Sequence, residues 1–373
     1  DRFNLDMITP GDVVRRMSVA QMQMVEICKA LSRNSNILVF DEPTASLAET
    51  EIEKLFEIIH ELKAQGKGII YISHRMEELS KIADRVTVLR DGAQIGESFD
   101  FNSVSLDEII NRMVGRPLKN KYPQHERKAG DVFFEVDNLR NDKCNIEHLY
   151  LRKGEILGVA GLMGAGRTEM ARGIVGADPV KSISVKLDGK PVRMKSPEHA
   201  MMNGIAYLTE DRKHEGLALG MDCEKNINMS SMKKISKWGF ISNHLADQNA
   251  WDYVRALSIR TPKLGQLARL LSGGNQQKLV IAKWLSHSAR VMIFDEPTRG
   301  IDVGAKFEIY KLMNQLSDDG VGIIMISSEL PELLGMSDRI LLMHEGQVVG
   351  ELDSKETNQE EVLTYIAGLR VNG

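Results

Sequence analysis

The chain has few cysteines and few aromatic residues, and its hydrophobic residues are not gathered into any long run. Cys28, Cys144 and Cys223 form no Cys-x-x-Cys spacing, which argues against a disulfide framework and is typical of a reducing compartment. No apolar segment approaches the roughly 20 residues of a membrane-spanning helix, and the first residues do not resemble a signal peptide. Any membrane role is therefore expected to pass through a partner.

An excess of charge of either sign is also missing. The chain has 48 basic and 52 acidic residues, a net charge of −4, and the two signs are well mixed. This balance argues against a positively charged surface for binding nucleic acid. The strongest basic cluster, residues 116–128, is interrupted by Pro117 and Pro123, which favours a solvated linker. The 42% of hydrophobic residues in a chain of 373 predict a globular protein of two domains.

What the sequence does contain is a repeat. Ser272 lies 254 residues after Ser18, and the same displacement separates Asp41 from Asp295, His74 from Ser328, Asp84 from Asp338, and Gly92 from Gly346. Matches at one spacing without a gap predict two homologous domains in tandem. We expect part of the first domain at 1–115, a linker at 116–130 and the second domain at 131–373. The counterpart of Gly161 would precede residue 1, so the first domain is expected to lack its amino-terminal part.

Periodicity places the local elements. Residues 102–115 predict an amphipathic helix, and residues 132–136 and 156–160 predict strands. Asp188-Gly189 indicates a hairpin turn. Residues 221–259 are helix-prone and rich in methionine, and they predict a helical insertion.

A glycine-rich loop follows the strand predicted at 156–160 and precedes a helix. It runs from Gly161 to Thr168 and includes Gly164 and Gly166. Such a loop presents backbone N–H groups to a phosphate, and Thr168 can ligate Mg²⁺. Arg167 stands where lysine is expected, and its planar guanidinium is not equivalent to an ammonium. The alternative is a structural glycine turn, which the strand and helix context disfavours.

Two copies of Asp-Glu-Pro-Thr each follow an apolar strand. Asp41 and Asp295 are expected to hold Mg²⁺, and Glu42 and Glu296 to polarise the water that attacks a γ-phosphate. A surface acid pair is the alternative for either copy alone, and the repetition disfavours it.

The next strand of each copy ends differently. In the first copy it ends at His74, which can contact a γ-phosphate and orient water. Ser328 takes its place in the second copy and has no cationic form. A lone histidine is more often structural, but its fixed distance from Asp41 favours the functional interpretation.

Two further segments are candidate contacts for nucleotide. The turn Ser272-Gly273-Gly274 opens a helix that continues through Gln276, and a helix N-terminus suits an anion. Residues 207–212 include Glu210, and they are interpreted equally well as a nucleotide sensor or as a charged turn.

Together these motifs resemble the ATP-binding-cassette ATPases, with an α/β P-loop fold, a mixed sheet core and a helical subdomain. In that family's terms they resemble Walker A, the signature turn, Walker B and the switch histidine. The long motifs at 271–278, 295–306 and 326–332 are similar to the second cassette of tandem ATPases that drive bacterial monosaccharide importers. This resemblance covers nearly the whole chain.

The resemblance implies two sites formed head to tail between cassettes. The site that would be chemically complete, apart from its own Walker A, would contain Glu42, His74, Ser272, Gly273 and Gly274. The other would be degenerate, because Arg167 replaces lysine, Ser328 replaces histidine, and Val19-Ala20 replaces the glycine pair. Glu210 lies near the position of the family's usual glutamine and is a possible stand-in.

The resemblance further implies ATP and Mg²⁺ as cofactors, an integral membrane sugar permease as partner, and an extracytoplasmic sugar-binding protein reached through that permease. The expected location is peripheral, on the cytoplasmic face of the bacterial plasma membrane. The chain alone is expected to be a weak or inactive ATPase. Two alternatives stay open: a soluble twin-cassette ATPase acting on ribosomes or DNA, and a cassette pair that docks a permease without catalysis.

Overall fold

A computed structural model describes residues 9–17, 19–33, 35–44, 47, 49–73, 76–90, 92–114, 122–123 and 129–369. Its contacts divide the chain into two compact units, Asp1–Lys119 and Asn120–Gly373. Within the described residues, no helix combines the length and hydropathy needed to cross a membrane.

The first unit is a small α/β assembly around one parallel strand pair. Its elements are α1 (Val19–Ser32), β1 (Ile37–Asp41), α2 (Glu49–Ala64), β2 (Gly68–Ile72), α3 (Met76–Ile82), β3 (Arg85–Val86), β4 (Leu89–Arg90), β5 (Ala93–Gln94), β6 (Phe99–Asp100) and α4 (Leu106–Val114). Strands β1 and β2 pair in parallel, with Asp41 opposite Ile72. The helix predicted at 102–115 is α4, and a 3₁₀ turn at Phe101–Ser103 precedes it.

The second unit is built on a larger mixed sheet. Its strands are β7 (Val132–Arg140), β8 (Asn145–Arg152), β9 (Ile156–Gly161), β10 (Ser182–Leu187), β11 (Lys190–Val192), β12 (Ile205–Leu208), β13 (Ser236–Lys237), β14 (Phe240–Ile241), β15 (Val291–Asp295), β16 (Gly322–Ile326), β17 (Arg339–His344) and β18 (Gln347–Asp353). Its helices are α5 (Arg167–Ile174), α6 (Pro197–Met202), α7 (Cys223–Asn228), α8 (Met232–Ile235), α9 (Asn243–Ala256), α10 (Gly273–Ser286), α11 (Val303–Asp318), α12 (Leu330–Met336) and α13 (Gln359–Ile366).

Ten of these strands form one sheet in the order β11-β10-β7-β8-β18-β17-β9-β16-β15-β12. Strands β17, β9, β16, β15 and β12 run parallel, and β9, β15 and β16 are buried along their whole length. Burial on both faces explains their continuous apolar sequences. Because parallel strands end at the same edge, Gly161, Asp295 and Ile326 bring the loops that follow them to one place.

The two strands predicted at the start of the second unit are confirmed, as is the hairpin turn at Asp188-Gly189 between β10 and β11. The prediction for 221–259 is right for α7, α8 and α9. It is wrong for residues 236–241, which form the hairpin β13–β14.

A run of five elements occurs in both units with the same lengths and the same spacing. Helix α1, strand β1, helix α2, strand β2 and helix α3 begin and end 254 residues before α10, β15, α11, β16 and α12. The strand register repeats as well, since Asp295 pairs opposite Ile326 as Asp41 does opposite Ile72.

The burial of this shared segment differs between the units. In β1 and β2, the side chains of Ile37, Val39, Ile70 and Ile72 are 46–66% exposed. Their counterparts at the same displacement, Val291, Ile293, Ile324 and Ile326, are at most 1% exposed and pack in a core that includes Phe134 and Met170. One face of the strand pair in the first unit is therefore apolar and exposed.

Candidate active site

The predicted glycine loop connects β9 to α5 at the carboxyl edge of the sheet. Gly164 and Gly166 have φ of 82° and 88°, a backbone conformation that side chains disfavour. A Cβ on Gly161 would lie 2.9 Å from the carbonyl oxygen of Met343, so that position is closed to larger residues. No side chain caps α5, whose first N–H groups are left for a ligand.

Arg167 is the first residue of α5, and its guanidinium is held at this edge. Its Nη1 donates to the carbonyl oxygen of Ser327 at 2.7 Å and lies 3.8 Å from Oε1 of Glu296. Both charged side chains are only 12% exposed. The loop cation and the second acid of Asp-Glu-Pro-Thr therefore form one charged cluster.

Asp295 ends β15 with a buried carboxylate. Its Oδ2 accepts a 2.8 Å hydrogen bond from the hydroxyl of Tyr207, and its Oδ1 has no hydrogen-bond partner among the described residues. Burial raises the pKa of Asp295, while the hydroxyls of Tyr207 and Thr168 and the charge of Arg167 oppose that rise. An unpartnered buried carboxylate oxygen beside a threonine hydroxyl fits a hard cation such as Mg²⁺.

Glu296 adopts a left-handed backbone conformation, with φ of 49°, and its N–H donates to Ile326 at 3.0 Å. Its Oε2 accepts from the Ser328 hydroxyl at 3.1 Å. Burial raises the pKa of Glu296, and hydrogen bonds from Ser328 and the charge of Arg167 partly offset this. A raised pKa makes its carboxylate a better general base.

The structure adds a residue that the sequence reasoning missed. Glu332 is fully buried on α12, and its carboxylate accepts from Thr298 at 2.5 Å, from Tyr310 at 2.6 Å and from Ser327. It thereby fixes Thr298, two residues after Glu296, and Ser327, directly before Ser328. In the first unit, Glu78 accepts from Thr44, Tyr71 and Ser73 at 2.6, 2.9 and 3.1 Å.

The signal for this residue was present in the repeat, since Glu332 lies 254 residues after Glu78. Within one copy, a single acid in a short helix cannot be distinguished from a solvated surface acid by sequence.

The turn that opens α10 lies elsewhere in the second unit. Ser272 is exposed, and its hydroxyl accepts from Asn275 at 2.9 Å. A Cβ on Gly273 would lie 2.9 Å from the Gly300 carbonyl oxygen, and one on Gly274 would lie 2.6 Å from Cβ of Ala305. Gly273 and Gly274 are therefore required by close packing within the unit. The approach of a phosphate is a second possible reason for glycine at these positions.

Gln276 is not brought to the exposed side of this turn. Its side chain is buried and donates to the carbonyl oxygen of Ala268 at 3.2 Å. Glu210 is likewise outside the cluster around Arg167, and its carboxylate forms an ion pair with Arg299. Arg212 donates to the carbonyl oxygens of Arg299 and Gly300 at 2.7 and 3.0 Å. Glu210 and Arg212 therefore hold residues 299–300, which follow Asp295 and Glu296 in the chain.

The candidates of the first unit are only partly described. Asp41 and Glu42 are exposed at the end of β1. Glu42 has φ of 43°, and its N–H donates to Ile72 at 2.9 Å, so its backbone matches that of Glu296. The predictions for Ser18 and His74 lie outside the described residues.

Helix α10 also buries a lysine. Lys283 is 7% exposed, and its Nζ donates to the Gly216 carbonyl oxygen at 2.6 Å. Burial lowers the pKa of Lys283 from its ordinary value of 10.5 to about 8. Between about pH 8 and pH 10.5 this lysine is protonated in the unfolded chain but largely neutral in the folded one. The stability of the second unit is therefore expected to rise with pH from about 8 to about 10.5.

The lowered pKa of Lys283 corresponds to a rise in the free energy of unfolding of about 3 kcal/mol over this pH range. Lys283→Met is expected to remove this rise. Urea unfolding near pH 8 and near pH 10, followed by the fluorescence of the three tryptophans, all in the second unit, measures it. Lys355→Met, which removes an exposed lysine, should keep the parent profile. Equal profiles for both variants would contradict the interpretation.

Comparison with known proteins places these features in a family. Residues 144–299 match the sequence profile of the family described as "ABC transporter". The chain is 51% identical over 371 residues to "Putative ribose/galactose/methyl galactoside import ATP-binding protein 1" of Agrobacterium fabrum, covering 99% of this chain and 73% of that protein. A Burkholderia ambifaria protein of the same name is 53% identical over 367 residues, covering 97% of this chain and 70% of that protein.

Solved structures agree at the level of the fold. The chain is similar to an ABC transporter cassette in an ADP conformation, with TM-score 0.52 and 19% identity over 65% of this chain and 97% of that one. A nucleotide-free cassette matches with TM-score 0.53 and 18% identity over 64% of this chain and 96% of that one. These matches indicate one P-loop cassette fold with a mixed sheet. With half of its residues identical to relatives of which it spans more than two thirds, the chain belongs to the ABC transporter family of ATP-binding proteins.

Proposed function

We propose that the chain is the ATP-binding and ATP-hydrolysing subunit that energises import of a monosaccharide through a membrane ABC permease. The observation that carries the proposal is the cluster at the carboxyl edge of the sheet, where an uncapped glycine loop, Arg167, Asp295 and Glu296 converge. The names of the relatives support sugar as the cargo and import as the direction.

In this proposal the phosphates of ATP lie on the loop amides from Gly161 to Thr168. Arg167 would turn its guanidinium from Glu296 to the phosphate charge, because the loop N-terminus and the cation together favour an anion. The 3.8 Å ion pair is then the arrangement of these groups before nucleotide arrives.

Asp295 Oδ1 and the hydroxyl of Thr168 are the groups that would hold Mg²⁺, and Asp41 would serve the same role in the first unit. When bound, Mg²⁺ neutralises charge on the phosphates. Tyr207 keeps Oδ2 of Asp295 fixed by its 2.8 Å hydrogen bond, which leaves Oδ1 directed to the ligand.

Glu296 would accept a proton from the attacking water in the second unit, and Glu42 would do so in the first. Ser328 holds the Glu296 carboxylate but cannot supply a positive charge. The resemblance to the family assigns Glu42 to the competent site and Glu296 to the degenerate one.

We also propose that the two units are cassettes in tandem, with bounds 1–115 and 131–373 and a linker at 116–130. The repeated element bounds, the repeated register of Asp41 and Asp295, and the repeated hydroxyl contacts of Glu78 and Glu332 support this. Within the linker, the ring of Tyr122 packs against that of Tyr310 of the second unit, with the centroids 5.4 Å apart and the planes tilted by 50°.

The proposed partners are a membrane sugar permease and, through it, an extracytoplasmic sugar-binding protein, with the chain peripheral on the cytoplasmic face. Isolation of the chain from cells tests this: it should copurify with a membrane permease, and ATP hydrolysis in those membranes should rise with the transported sugar. Sedimentation with ribosomes or DNA instead would favour the soluble twin-cassette alternative, which no observed feature supports.

Nucleotide binding tests the site directly. Arg167→Ala is expected to weaken MgATP binding about 10- to 100-fold, since it removes a charge-assisted contact with phosphate. Calorimetric titration measures the affinity, and Arg255→Ala, which removes an exposed arginine of α9, is the matched control. An Arg167→Ala variant that binds MgATP as tightly as the parent would refute the assignment of the loop.

A further inference from the structure

The hairpin β13–β14 exposes large apolar side chains in a way that the rest of the second unit does not explain. Ser236 pairs with Ile241 and Lys237 with Phe240, and Trp238-Gly239 form the two-residue turn. Trp238 is 92% exposed, Phe240 79% and Ile241 51%. These three side chains are called the apolar tip below.

The turn has an unfavourable residue at its first position. Trp238 and Gly239 have φ of 56° and 84°, so both adopt the left-handed conformation of a type I′ turn. Asparagine, aspartate and glycine suit these positions, whereas a bulky residue is strained there. Because Trp238 is almost fully exposed, packing within the unit does not offset the strain. Its presence therefore fits a contact made outside the unit.

The stretch of sequence that contains the apolar tip, between Glu224 and Asp247, carries charge of one sign. Residues 225–246 contain four lysines and neither aspartate nor glutamate. Lys225 is paired with Asp222, and Lys234 donates to the Ser286 carbonyl oxygen at 2.5 Å. Lys233 and Lys237 are exposed beside the tip. The surface thus combines exposed aromatic residues with positive charge.

We propose that the apolar tip inserts into the headgroup region of a membrane that contains anionic lipid. Tryptophan favours the boundary between water and hydrocarbon, and lysines beside it are attracted to anionic headgroups. A protein groove would accept the apolar side chains equally well, but the absence of acids over residues 225–246 favours a continuous anionic surface. The contact goes beyond the proposed ATPase function and does not depend on nucleotide.

Vesicles test the proposal on the whole chain. Cosedimentation is compared between phosphatidylcholine vesicles and vesicles with roughly one third phosphatidylglycerol, a lipid that supplies the attracting charge. Binding is expected only with the anionic vesicles and should weaken with salt. Brominated lipid should quench tryptophan fluorescence through Trp238, because Trp251 and Trp284 are partly buried against the core.

Trp238→Asn is the informative variant, since it removes the inserting group and suits the left-handed turn. We expect vesicle affinity to fall about tenfold, in line with the loss of a large buried apolar group, and the melting temperature to stay equal or rise. Lys233→Glu with Lys237→Glu should abolish the preference for anionic vesicles. Met202→Ser removes a 67% exposed apolar residue of α6 and should leave binding unchanged.

Two results would overturn the proposal. A chain that binds neither kind of vesicle excludes a lipid contact, and this is the result expected if the tip docks a protein. A Trp238→Asn variant that binds as the parent does would assign the binding to other exposed apolar residues, such as Ile37 and Val39 of β1.

Discussion

In a protein whose first cassette carries its own phosphate loop, Glu42→Gln is expected to lower ATP hydrolysis roughly 100- to 1,000-fold, because it removes a general base while keeping the shape of the side chain. Glu296→Gln should lower it only a few-fold. The two residues share a left-handed backbone and a hydrogen bond to the end of the neighbouring strand. The expected difference between them comes from the family resemblance, which assigns Glu42 to the competent site. The Glu296 carboxylate is held by Arg167 and by Ser328.

Steady-state hydrolysis in membranes that carry the transport partner measures both variants, and nucleotide binding confirms that each still binds MgATP. Ser328→His is measured alongside them, since it gives the second copy the residue type that the first copy has at position 74. Equal losses for Glu42→Gln and Glu296→Gln would mean two equivalent sites. No loss in either variant would favour a cassette pair that docks a permease without catalysis.

Glu155→Met is expected to destabilise the second unit by about 3–5 kcal/mol, because it leaves the buried Arg339 without its main partner. Arg339 donates to Oε1 of Glu155 at 2.5 Å and to Glu351 at 2.5 Å, and its guanidinium lies 3.8 Å from the ring centroid of Tyr150. Glu155 is fully buried and Arg339 nearly so. The melting temperature of the unit should fall by roughly 10 °C.

The double variant Glu155→Met with Arg339→Met should recover much of this loss, since it removes both charges. Asp142→Asn breaks an exposed ion pair with Lys181 and should leave the unfolding free energy nearly unchanged. Chemical unfolding followed by tryptophan fluorescence measures all three. A double variant no more stable than Glu155→Met would show that the stabilisation comes from packing.

The parts of the site that the sequence predicted are those set by local pattern. The glycine loop between β9 and α5 and the acids after β15 were predictable because an apolar strand immediately precedes each of them. The turn at Asp188-Gly189 was predictable because these residues suit its conformation. In such segments, neighbours along the chain determine the structure.

The parts that were missed depend on distant contacts or on a residue that violates a local preference. Glu332 is buried because Thr298 and Tyr310 reach it from other elements, and no spacing within α12 indicates this. The hairpin at 236–241 was missed because tryptophan is a poor turn residue. Gln276 lies on the predicted helix, but which way its side chain faces depends on the packing around Ala268.

The exposed apolar face of β1 and β2 is expected to affect how this 373-residue chain behaves in solution when it is prepared by itself. Ile37, Val39, Ile70 and Ile72 present branched side chains on one surface of a two-stranded sheet. Such a surface favours self-association, which increases with protein concentration. Light scattering of this chain should therefore show a particle size that grows with protein concentration.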